Sequence, residues 1–176
     1  MRDKILSKLD LLDQKLASLI DALEVYSEED LQKKPGPEVW SPAQLICHMR
    51  LVEETSMAYL KKKLSYDPVL NKVGILHVIK SKVKLLALGF ASKISAPKGV
   101  DEGSFPAEIT YVDEAKKWKQ LRLDTRNYLS TLDEKWLDKD AYKHPFAGRL
   151  SIGQMLDFFA GHFERHRKQL MGRLPE

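Results

Sequence analysis

Apolar residues recur every three or four positions between Arg2 and Tyr26. Ile5, Leu9, Leu12, Leu16, Leu19, Ile20 and Leu23 share one face, and charged residues fill the other. That spacing predicts an amphipathic helix whose apolar stripe is covered by neighbours. Lys34-Pro35-Gly36-Pro37 cannot continue a helix, so the stretch SEEDLQKKPGPEVW reads as a loop. A second helix begins at Trp40-Ser41-Pro42-Ala43-Gln44-Leu45 and is predicted to run to about Leu64. Ser41 suits the N-cap and Pro42 the first helical position. Gln44 completes a capping box, and Trp40 can staple onto Leu45. Leu150-Ser151-Ile152-Gly153-Gln154-Met155 repeats this grammar and opens a last helix to about Arg173. Between them, Ala115, Trp118, Leu121, Leu129 and Leu132 give an apolar face to a helix over about Val112 to Leu132.

Four long amphipathic helices predict an all-α fold, a four-helix bundle in one domain over residues 1–176. Residues 66–111 are less regular. Val73 to Phe90 reads as helical and Ser92 to Pro106 as a loop, a long helical and loop connection between helices 2 and 3. A connection of that length permits helices 2 and 3 to run parallel.

Composition narrows the function classes. A chain of 176 residues with 43% hydrophobic and 31% charged residues can bury a core and stay hydrated outside. The N-terminus carries charges every few residues and lacks the apolar run of a signal peptide. No stretch approaches a membrane span. Cys47, the single cysteine, excludes an internal disulfide and suits a reducing cytoplasm. A net charge of +4 is mild for a nucleic-acid binder. The runs Lys61-Lys62-Lys63 and Lys80-Ser81-Lys82-Val83-Lys84 lack interleaved aromatics and read as solvated faces.

The candidate chemistry lies in the histidines. At about 100° per residue, His162 shares a face with Met155, Phe159, His166 and Gln169. His48 shares one with Leu45, Val52 and Tyr59. All three imidazoles therefore point toward a bundle interior. A histidine pair four apart can bind one ion, and a third ligand from another helix leaves open positions for water or substrate. The spacing leaves open whether His48 meets the other two; an HxxxH pair by itself is also an ordinary polar patch.

Other residues carry less. His162-Phe163-Glu164-Arg165-His166 is not H-E-x-x-H, because Glu164 points about 160° from each of the two rings. Glu164 reads as solvated or paired with Lys168. Cys47 reads as a small core residue, His77 as a core or groove histidine, and Trp40, Trp118 and Trp136 as core or staple residues. His144 reads as structural, or as a contact at the rim of a pocket. Glu53 and Asp157 are candidates, by sequence proximity, for orienting the ligating histidines.

The segments Trp40-Ser41-Pro42-Ala43-Gln44-Leu45-Ile46-Cys47-His48 and His144-Pro145-Phe146-Ala147-Gly148-Arg149-Leu150-Ser151, with His162-x-x-x-His166-x-x-Gln169, resemble the DinB-like superfamily. That group also takes in the YfiT-like metal-dependent hydrolases. The resemblance implies a bundle of up-down-down-up topology, frequently a homodimer. It implies a divalent metal, zinc or nickel, held by one histidine of the second helix and two of the fourth, here His48, His162 and His166. It implies hydrolysis, or transfer of a low-molecular-weight thiol to a small-molecule substrate. Gln169 and His144 are the candidate substrate contacts. A non-catalytic, metal-stabilised bundle that binds a small ligand is the alternative.

Overall fold

The computed structural model describes residues 1–74, 83 and 96–175. Its long helices are α1 (Arg2–Leu23), α3 (Pro42–Leu64), α4 (Tyr111–Thr131) and α5 (Ile152–Met171), and a short α2 (Glu28–Gln32) follows α1. The class is all-α, as the apolar periodicity predicts. Both serine-glutamine boxes form. The Ser41 hydroxyl accepts from the Gln44 amide at 3.2 Å, and the Gln44 side chain accepts from the Ser41 amide at 2.9 Å. Ser151 and Gln154 do the same at 3.3 and 2.9 Å. Each box satisfies two amide donors that a helix start otherwise leaves unpaired.

α1 packs against α4 and α5, and α3 packs against the same two helices. The side-chain pairs give the directions. Lys8 meets Asp157 and Lys15 meets Glu164, so α1 and α5 advance together. Arg50 meets Glu114 and Lys61 lies over Tyr128, so α3 and α4 advance together. Arg2 reaches the carbonyl of Leu132 while Ile20 accepts from Tyr111, so α1 and α4 run oppositely.

The core forms two apolar clusters. One centres on Leu9, Leu12, Met57, Leu60, Leu129, Met155 and Phe159. The other centres on Leu19, Leu23, Leu45, Met49, Trp118, Phe163 and Leu170. A polar layer lies where they meet. There the buried Glu53 carboxylate accepts from Arg122 at 2.6 and 2.7 Å and from the Trp118 indole at 3.1 Å. Arg122 continues to Asp13 at 3.3 Å.

Two elements depart from the sequence expectation. The stretch read as a loop after α1 contains α2, capped by a reciprocal Ser27–Asp30 box. Ahead of α5, Tyr142–His144 (β1) pairs antiparallel with Gly148–Leu150 (β2). Gly148 turns the chain with φ 84°, a conformation that favours glycine. The 66–74 stretch is tied down by backbone bonds, Val73 to Asp138 and Asp140 to Asn71, both at 3.0 Å. Most of the helix expected over Val73 to Phe90, with His77 and the second lysine run, lies outside the described residues. No helix among the described residues is long and apolar enough to cross a membrane.

Candidate metal centre

α3 and α5 cross where His48 faces His162 and His166. The ligand atoms of the three rings lie within 4.8 Å of one another, a set that can hold a metal ion. The ring centroids are 4.4 to 5.1 Å apart. The structure thus joins the two helices that the spacing alone left unconnected.

The outer ring nitrogens fix which way the lone pairs point. His48 Nδ1 lies 2.7 Å from the Val100 carbonyl, an acceptor only, so this nitrogen carries the proton. His166 Nδ1 donates to Gln169 Oε1 at 2.8 Å. Each ring therefore turns an unprotonated Nε2 inward, the form in which histidine ligates a metal. His48 Nε2 and His162 Nε2 approach to 3.2 Å. Two lone pairs do not face each other at that distance unless a proton on His162 or a cation lies between them. The donor set therefore fits a divalent cation.

Electrostatics agrees. Burial is the largest cause lowering His48, His162 and His166. His162 sits well below its ordinary value, and His166 falls to about 3, lowered further by its neighbour His48. The rings are neutral at pH 7, so cation binding need not first displace a charge.

The three histidines line one wall of a cavity of about 560 Å³. Trp40, Phe146 and Phe158 supply aromatic surface, and Val52, Pro97 and Val100 supply aliphatic surface. Trp40 lies 5.0 Å from His48 and Phe158 lies 5.5 Å from His162 between ring centroids. Trp40, read from the sequence only as a core or staple residue, is also a wall of the site. A larger groove of about 1160 Å³, lined by Tyr111, Lys116 and Leu123 among others, contains no histidine.

The remaining candidates sort by helical geometry. Gln169, one turn beyond His166, orients that ring and is not among the cavity residues. His144 lines the cavity and also organises the hairpin: its Nδ1 accepts from the amides of Phe146 at 3.1 Å and Ala147 at 3.0 Å. Glu53 and Asp157 do not orient the histidines. Each is five residues from its histidine, about 140° around the helix, and they bind Arg122 and Lys8 instead. Glu164 pairs with Lys15 and Arg167 rather than Lys168. Cys47 is fully buried, and burial pushes its thiol up to about 12, consistent with a core residue.

His144 makes a pH prediction. Burial lowers it to about 4 from an ordinary value near 6.5. The unfolded chain then binds more protons than the folded one between those values, so stability is full above about pH 6.5 and falls toward pH 4. The loss from this group approaches about 3 kcal/mol. His144→Asn, whose Oδ1 can accept the same amides, should show a shallower loss of stability from pH 6.5 to 4 in chemical unfolding. Equal slopes would refute the assignment.

The family model described as the DinB superfamily matches residues 11–170, a span that includes all three histidines. The chain is 24% identical over 150 residues to the "Uncharacterized protein YuaE" of Bacillus subtilis (strain 168), covering 84% of this chain and 85% of that one. No solved structure matches.

Proposed function

We propose, for a chain that belongs to the DinB superfamily, that His48, His162 and His166 hold one zinc or nickel ion at the wall of the cavity, and that the protein is a metal-dependent enzyme. The observation that carries this reading is the pair of anchored rings. His48 and His166 are held by Val100 and Gln169 with their Nε2 atoms turned inward toward His162. Such a centre, with three protein ligands, leaves positions open for a reactant. A divalent ion there supplies acidity, lowering the pKa of water toward about 7 or ionising a thiol. The chain's own contribution is to hold the imidazoles neutral and oriented, and to wall the reactant with Trp40, Phe146 and Phe158.

Of the two chemistries, we favour transfer of a low-molecular-weight thiol to a small electrophile over hydrolysis. The family resemblance supports that choice, and so does the largely apolar wall, which suits a carbon electrophile. In this reading the protein works in the cytoplasm as a homodimer. The test is turnover of a chromogenic aryl halide with cysteine or another small thiol. It uses protein loaded with zinc or nickel, against the same protein treated with chelator. Metal- and thiol-dependent product is the expected result. Ester or amide cleavage without thiol would instead make the protein a hydrolase. No turnover of either kind, with metal bound, would leave a ligand-binding bundle.

A further inference from the structure

Besides the three clustered histidines and several charged residues at its lining, the cavity holds a pair of hydroxyls. Ser56 of α3 and Tyr142 of β1 both line it, each 5% exposed, and their hydroxyl oxygens are 2.9 Å apart. Ser56 lies about two helical turns beyond His48 on the same helix, about 12 Å along the axis. Val52 and Phe158 line the cavity as well.

Proton counting makes this pair informative. Two hydroxyls bring two O–H groups, and one is consumed in the bond between them. Neither oxygen makes another hydrogen bond among the described residues. Among the described residues one O–H is therefore left over inside the cavity, where an unmatched donor is costly. A ligand acceptor placed there would recover that cost. Burial also raises the Tyr142 phenol above its ordinary value, which keeps it a donor at neutral pH.

We infer that the Ser56–Tyr142 pair is a ligand-recognition site that donates one hydrogen bond to a carbonyl oxygen at the far end of a molecule whose other end lies at the three histidines. The inference rests on the proposed thiol-binding metal centre and deepens it. It makes the preferred ligand an extended thiol with an apolar middle and an amide or similar carbonyl at its tail. The cavity volume of about 560 Å³ fits a ligand of that size.

The test uses cobalt(II)-loaded protein titrated with ω-mercaptoalkanamides of graded chain length and with alkanethiols of the same length. Binding is read from the thiolate-to-cobalt absorption band, so no turnover is needed. At one chain length the amide should bind roughly tenfold more tightly than its alkanethiol counterpart. The double variant Ser56→Ala/Tyr142→Phe should bring that ratio near one with cobalt content unchanged. Each single variant should retain part of it, because one hydroxyl still offers an O–H. A ratio unaffected in the double variant, or absent in wild type at every length, overturns the hydroxyl-pair inference while leaving the metal centre intact. If the double variant does not fold, Ser56→Cys/Tyr142→Phe, which keeps the side-chain volumes and leaves only a weak S–H donor, takes its place with the same reading. A wild-type protein that takes up no cobalt, or shows no band with any thiol, overturns the metal-centre reading and this inference together.

Discussion

His162→Ala should purify with almost no divalent metal, against about one zinc or nickel ion per chain in wild type. His162 completes a three-ring cluster with the two anchored ones. His48 is set by Val100 and His166 by Gln169, and the Nε2 of His162 comes within 3.2 Å of the Nε2 of His48. Without it, two ligands on different helices remain, too few for a tight three-ligand site. The fold should survive. His162 is only partly buried, and the α5 side chains that fill the core, Met155, Phe159, Phe163 and Leu170, are untouched. Elemental analysis of untagged protein and far-ultraviolet circular dichroism read the two halves separately. Unchanged metal with unchanged helix content would place the ion elsewhere.

The second large effect is on stability. Glu53→Ala should destabilise the protein by about 3–5 kcal/mol, because it leaves the buried Arg122 guanidinium without its main partner. Asp13, at 3.3 Å and partly exposed, is a poor substitute. The Trp118 indole also loses its acceptor. For a chain of this size that cost lowers the unfolding midpoint by roughly 8–15 °C. Replacing both charges, Glu53→Met with Arg122→Leu, should recover much of the loss, as an apolar pair often replaces a buried ion pair without penalty. Recovery should stop short of complete, since the Trp118 N–H still lacks a partner. Thermal and urea unfolding of the single and double variants measure this. Metal content should not change in either, because Glu53 points about 140° away from His48 on α3. A Glu53→Ala protein as stable as wild type would remove the polar layer from the account of the fold.

Much of this architecture is readable from the chain itself, and the exceptions have physical causes. The four long helices announce themselves because each repeats its apolar residues over many turns, and two of them carry serine-glutamine boxes. α2 hides because five residues are too short to show a period, although Ser27-Glu28-Glu29-Asp30 has a capping pattern. The hairpin hides because three-residue strands leave no alternation to detect. In the site, helical phase brings out His48, His162 and His166, and it puts Gln169 on the same side. It also rules against Glu53 and Asp157, which sequence proximity had favoured. The Val100 carbonyl could not be found this way, since every residue has one. The Glu53–Arg122 pair joins α3 to α4, and neither residue alone announces the other. Trp40 was legible as a packing residue, and its place beside the histidine cluster required the packing of α3 on α5.

That the anchor of His48 is a main-chain oxygen has a consequence for how the protein can be altered. A side-chain anchor is removed by one codon change; a carbonyl is supplied by any amino acid that lets the backbone pass the same point. The strand of chain around Val100 can therefore be rewritten to reshape the cavity wall, provided Gly99, with φ 98°, keeps its turn. Libraries randomised there would explore new ligands while the imidazole keeps its tautomer.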